Sequence, residues 1–147
     1  MTAPLLIFGW GNPSRGDDAL GPLFVERIEA LQLPGVECLT DFQLQVEHAL
    51  DLHGRSRILF VDASIDAETP FTATRIEAAK DDSFTTHAMT PQAVLHVYRE
   101  LEDADAPPTW LLAIRGEHFE LGEAPSAAAL EHLAAALAWA QQWIAAA

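Results

Sequence analysis

The sequence predicts an α/β fold: a three-layer α/β/α sandwich in one domain spanning residues 1–147, with a five-stranded, mostly parallel sheet, one antiparallel strand and four or five helices. Three observations predict it. Short apolar runs alternate with stretches of helical periodicity from Leu5 to Asp62, the pattern of a parallel sheet covered by helices. Only about ten residues then separate Asp62 from the next strand candidate, too few for a parallel crossover, so that strand runs antiparallel. Finally, 147 residues of which 50% are hydrophobic suit a single core.

Each element has a local reason. Pro4–Phe8 is an apolar strand stopped by the turn Gly9-Trp10-Gly11-Asn12. Leu20, Leu23, Phe24, Ile28 and Leu31 recur at helical spacing, with Pro22 in the first turn, where its missing N–H costs nothing. Pro34-Gly35 ends that helix, and Val36–Thr40 is the second strand. Val46, Leu50 and Leu52 suggest a second helix, with Gly54 at the position of a C′ glycine. Arg57–Asp62 is the clearest strand, and Phe71–Ile76 is the antiparallel one. Thr90-Pro91 is an N-cap followed by proline at the first helical position, opening a helix to about Leu101. Trp110–Ile114 is the fifth strand. Ser126 caps a long last helix with Leu130, Leu133, Leu137 and Ile144 on one stripe, while Trp110 and Trp143 read as core.

Charge narrows the function classes. Twenty-two acids against eight bases give a formal net charge of −14, which repels phosphate backbones and argues against nucleic acid as a partner. A basic protein surface or a metal cation is favoured instead. The lone Cys38 cannot form an intrachain disulfide, and its mid-strand position reads as structural. No signal peptide is evident, and the alanine-rich stretch from Leu133 is too short and too weak for a membrane span. A cytoplasmic monomer with no membrane contact is expected.

In open α/β sheets, ligands bind at the carboxyl ends of the parallel strands. Asp17 and Asp18 follow the first strand, Asp62 ends the third, and His87 precedes the helix opening at Thr90. Two carboxylates and an imidazole form a nitrogen–oxygen ligand set with room for open coordination positions. The glycine turn after the first strand mimics a dinucleotide fingerprint. However, it lacks the third glycine at Ser14, and its two acids stand where a pyrophosphate needs free N–H groups. An NAD- or ATP-binding module is therefore a poor reading. Ser14 lacks a nucleophile elbow, and Glu47-His48 is not a zincin motif.

The segment Gly9-Trp10-Gly11-Asn12-Pro13-Ser14-Arg15-Gly16-Asp17-Asp18-Ala19-Leu20-Gly21 resembles the signature of the hydrogenase maturation proteases. The resemblance extends to Phe60-Val61-Asp62-Ala63 and Thr85-Thr86-His87-Ala88, and covers nearly the whole chain. It implies an endopeptidase that removes the C-terminal extension of a nickel-loaded [NiFe]-hydrogenase large-subunit precursor. Asp18, Asp62 and His87 would be the metal ligands and catalytic residues, with the nickel supplied by the substrate; the isolated protein would take other divalent cations such as cadmium or zinc. The family commonly has Glu where Asp18 stands, one methylene longer, and Arg115-Gly116-Glu117-His118 departs from its usual pattern after the fifth strand.

Gly11, Asn12, Gln45 and Glu47 are candidates to line the substrate cleft, and Asp17 is a general-base candidate by proximity alone. Trp10, in the glycine turn, is expected to be partly exposed. Taken singly, Asp17 and Asp18 are ordinary helix-capping acids, Asp62 an acceptor for loop N–H groups, and His87 a solvated histidine. The remaining histidines, His48 among them, read as solvated, with His48 and His118 as accessory ligands in reserve. A non-hydrolytic, nickel-sensing chaperone that binds the same precursor is the alternative from another class.

Overall fold

The protein is described by a computed structural model covering residues 2–80 and 89–146. Its strands are β1 (Leu5–Trp10), β2 (Val36–Asp41), β3 (Arg57–Ser64), β4 (Phe71–Ile76) and β5 (Thr109–Arg115). They form one sheet in the order β2-β1-β3-β5-β4, parallel except for the antiparallel β4–β5 pair. Three α-helices, α1 (Leu20–Ala30), α2 (Pro91–Glu102) and α3 (Ala127–Ala145), complete the described regular structure together with two 3-10 segments, Gly16–Ala19 and Val46–Leu52.

Strand alternation builds the three layers, because successive side chains point to opposite faces. Leu5 and Ile7 of β1 join Leu59, Val61 and Ala63 of β3 under α1 and α3. Leu6, Phe8 and Trp10 join Ile58 and Phe60 on the other face, covered by α2 and the Val46–Leu52 segment. Both central strands are thus apolar at almost every position, as strands buried on two faces must be.

Three expectations change. The second helix is a 3-10 segment, too short for an independent α-helix. Trp10 is the last residue of β1 and is buried against Phe60, ring centroids 5.8 Å apart, rather than partly exposed. The buried stripe of α3 is Ala129, Leu133, Ala136, Ala140 and Trp143, while Leu130 faces outward. Of the expected stripe, Leu133 is buried and Leu137 and Ile144 pack against the core, so only Leu130 departs from it. The small residues Ala129, Ala136 and Ala140, which a count of large side chains passes over, complete the buried face.

The caps form as the sequence suggested. Thr90 Oγ1 accepts the Ala93 N–H at 3.1 Å, and Ser126 Oγ accepts that of Ala129 at 3.2 Å.

Candidate functional site

The carboxyl end of β1 leads into a turn that only glycine permits. Gly11 has φ +147°, and a Cβ there would collide with the Asp18 carbonyl oxygen. Gly9 and Gly21 are equally pressed: a Cβ on Gly9 would strike the Gly21 carbonyl, and one on Gly21 the Trp10 carbonyl. These contacts seat the start of α1 directly on β1 and fold the chain back so that Asp18 faces the strand end. Asp18 Oδ2 accepts the Asn12 N–H at 2.7 Å, and Asn12 Oδ1 accepts the Ser14 N–H at 2.9 Å.

Asp62 stands near the end of β3, the strand beside β1, in register with Ala113 of β5. It is half-buried. Burial pushes its carboxyl up to about 7, opposed by a hydrogen bond from the Ala63 N–H and reinforced by the charge of Asp18. The two carboxylates therefore feel each other at one sheet edge, and among the described residues no base offsets their charge on Asp62. Such a pair suits a cation, which would relieve both the repulsion and the burial penalty. His87 lies outside the described residues, which contain no group of three metal-capable side chains.

Asp17 takes a different role from the one its position suggested. Its carboxylate is fully buried and accepts from Glu117 N–H (2.8 Å), His118 N–H (3.0 Å), Ser126 N–H (2.7 Å) and Ser126 Oγ (3.0 Å). Burial alone would raise its pKa, but these donors outweigh burial and hold the carboxyl below the usual value. A depressed, enclosed carboxylate with its lone pairs engaged is a poor general base, so the geometry assigns Asp17 to tying the site turn to the loop after β5. Backbone bonds add to that tie: Gly16 N–H to the Glu123 carbonyl, Asp17 N–H to that of His118, and Gly122 N–H to that of Ser14.

The cleft candidates separate. Gly11 lines a cavity of about 160 Å³ with Pro13, Pro22, Thr40, Asp41 and Phe42. Asn12 is spent on the turn just described, and neither Gln45 nor Glu47 lines this cavity. The Gln45 N–H instead donates to His48 Nδ1 at 2.8 Å. His48 is not solvated. It is buried, its ring meets Phe8 edge-on with centroids 4.6 Å apart, and its Nε2 lies 3.1 Å from Asp41 Oδ2. Because Nδ1 accepts a backbone N–H, Nε2 carries the proton and donates to Asp41. His53 and His118 are exposed as expected, whereas His96 and His132 are half-buried, His132 against the Arg115 carbonyl at 3.0 Å. The Cys38 thiol, pushed up to about 11 by burial and by Glu29 and Glu37, is not a nucleophile near neutrality.

Sequence reasoning missed the Asp41–His48 pair. Its signal was the spacing Gln45-x-x-His48, which fits a reciprocal cap at the start of a helical turn.

Asp62, near the end of β3, and Asp18, in the 3-10 segment after the glycine turn that follows β1, thus stand at one edge of a sheet of order β2-β1-β3-β5-β4. Solved structures share this fold. The [NiFe] hydrogenase maturation protease HycI from Thermococcus kodakarensis is similar at TM-score 0.71 and 22% identity, with 95% of this chain and 91% of that one covered. The hydrogenase maturating endopeptidase HybD from E. coli matches at TM-score 0.71 and 23% identity, covering 97% and 90% of the two chains. A hydrogenase 2 maturation peptidase from a Thaumarchaeota archaeon matches at TM-score 0.69 and 18% identity, covering 96% and 97%. This is the fold of the hydrogenase maturation proteases. No protein-family model matches the chain, and no curated protein matches it by sequence. The maturation-protease fold is therefore carried here by a divergent sequence, and the likeness runs nearly end to end in both chains. Among the described residues no helix is long and apolar enough to cross a membrane.

Proposed function

We propose that this chain is an endopeptidase of [NiFe]-hydrogenase maturation, acting as a cytoplasmic monomer to remove the C-terminal extension of a nickel-loaded large-subunit precursor. The observation that carries the reading is the placement of Asp18, behind the glycine turn after β1, and Asp62, near the end of the adjacent strand β3, at one sheet edge. The fold shared with HycI and HybD supports it.

The nickel belongs to the substrate. Asp18 and Asp62 offer it oxygen ligands and His87 an imidazole, and a metal so held can polarise a scissile carbonyl or acidify a bound water. The chain's own part is orientation. The Asn12 N–H fixes the Asp18 carboxylate, and β3 holds Asp62 beside it. Cleavage would then wait until the precursor carries its metal, because the protease residues alone lack the electrophile.

Intact-mass spectrometry of the precursor, incubated with the protein with and without nickel loading, tests this directly. Loss of a discrete C-terminal peptide is expected only from the nickel-loaded precursor, and is abolished by Asp18→Ala, Asp62→Ala or His87→Ala. Stable complex formation without mass loss would replace the protease with a nickel-sensing chaperone.

A further inference from the structure

Large apolar side chains stand in the open on three separate loops at the carboxyl edge of the sheet. Phe42, directly after β2, is 68% exposed; Ile65, directly after β3, is 56% exposed; Leu121, in the loop after β5, is 68% exposed. Val46, at the start of the 3-10 segment that follows Phe42, is 57% exposed. The parallel strands β2, β1, β3 and β5 lie side by side, so these residues span the mouth of the crevice that holds Asp18 and Asp62. At about 4.8 Å per strand, the span from β2 to β5 is roughly 14 Å.

The backbone at or beside Phe42, Ile65 and Leu121 is held by local hydrogen bonds. The Phe42 N–H donates to Asp41 Oδ1 at 2.7 Å, and Asp41 is pinned by His48. The Asp66 N–H beside Ile65 donates to Ser64 Oγ at 3.1 Å. Leu121 sits between Gly122 and Glu120, whose N–H and carbonyl are bonded to Ser14 and Glu123 respectively. Loops whose backbone is ordered before binding lose less conformational freedom on docking, so the burial of their apolar side chains is available to affinity.

The charges around them identify the occupant. Asp41, Asp66, Glu117 and Glu120 are exposed on the same loops. Of the bases there, Arg15 is exposed, while Arg115 is already bonded to the Ala67 carbonyl at 2.9 Å and stands 3.9 Å from Glu117. In a chain of net charge −14, this edge is apolar points set in acid.

We infer that Phe42, Val46, Ile65 and Leu121 form a preset apolar rim that docks on a Lys/Arg-ringed apolar surface of the folded precursor. The inference rests on the processing role proposed above. Docking of this kind selects the precursor by its folded surface as well as by its metal, and its acidic surround accelerates encounter with a basic partner.

The test uses the whole protein and the nickel-loaded large-subunit precursor. Kd is measured by biolayer interferometry, and kcat and KM by intact-mass time courses. Wild type is compared with Phe42→Ser, Ile65→Ser, Leu121→Ser and the triple variant, all checked for unchanged circular dichroism and Tm. Each single substitution should raise Kd and KM about tenfold, the triple about a hundredfold or more, with kcat held within about twofold. Raising NaCl from about 50 to 500 mM should weaken wild-type binding. If wild type cleaves and the triple variant binds equally well, the rim is overturned and the protease stands. If wild type binds without cleaving and the triple variant loses binding, the rim stands and the protease falls. A wild type that neither binds nor cleaves overturns both.

Discussion

The four donors on the Asp17 carboxylate reach it from Glu117, His118 and Ser126, far along the chain, and leave no room for a second function. Asp17→Ala would bury three backbone N–H groups without an acceptor, at about 1–3 kcal/mol each. A loss of about 4 kcal/mol is expected, read by urea denaturation at pH 7, with Asp17→Asn intermediate. Because the folded carboxyl lies below its ordinary 3.8, its stabilisation is present above that value and is lost as pH falls through the folded pKa. The gap between wild type and Asp17→Ala should therefore persist at pH 5 and shrink well below pH 4. A variant as stable as wild type at pH 7 would refute the tie. Two adjacent acids are indistinguishable in sequence, since which of them points inward depends on a loop a hundred residues away. Asp18 and Asp62 were legible because a glycine turn and strand end fix their edge of the sheet, and His48 was not, because burial of a polar ring depends on partners supplied by tertiary packing.

Elements show the same division between local signals and packing. β4 was legible as antiparallel because the chain between β3 and β4 is too short for a crossover, and it matches Phe71–Ile76 residue for residue. The face of α3 was legible only in part: Leu133, Leu137 and Ile144 mark it, but a count of large side chains misses Ala129, Ala136 and Ala140, which gain their burial from proximity rather than from size. The Val46–Leu52 segment buries Ala49 and Leu52 in the core, and His48 joins its start to the end of β2 through Gln45 and Asp41. Asp41 in turn accepts the Gly11 N–H at its carbonyl, 3.1 Å away, so the clamp reaches the site turn. His48→Leu keeps an apolar ring-sized group but removes both bonds. It should cost about 1–3 kcal/mol in thermal denaturation and speed hydrogen exchange at the Gln45 amide relative to the β1 amides. Unchanged exchange at Gln45 would mean that the segment holds itself.

The whole molecule carries its excess of acid with few bases free to answer it. Arg55 is committed to Glu37 at 2.6 Å, while the guanidinium groups of Arg57 and Arg75 lie over Trp143 and Trp110 at 4.2 and 5.0 Å from the ring centroids. Twenty-two acids on a 147-residue chain therefore repel one another mainly through solvent, where salt screens them over about 8–10 Å at moderate ionic strength. Screening should favour the compact state, so Tm should rise by several degrees between about 10 and 300 mM NaCl. KCl should do the same, which separates screening from the surface exclusion that sulfate would add. Attraction to a basic partner is weakened by the same ions. Stability and precursor affinity are thus expected to move in opposite directions over one salt titration, the first read by calorimetry and the second by interferometry. If both rise together, apolar burial dominates the docking and the acids serve only solubility; if Tm falls with NaCl, the surface acids are not repelling one another as their number implies.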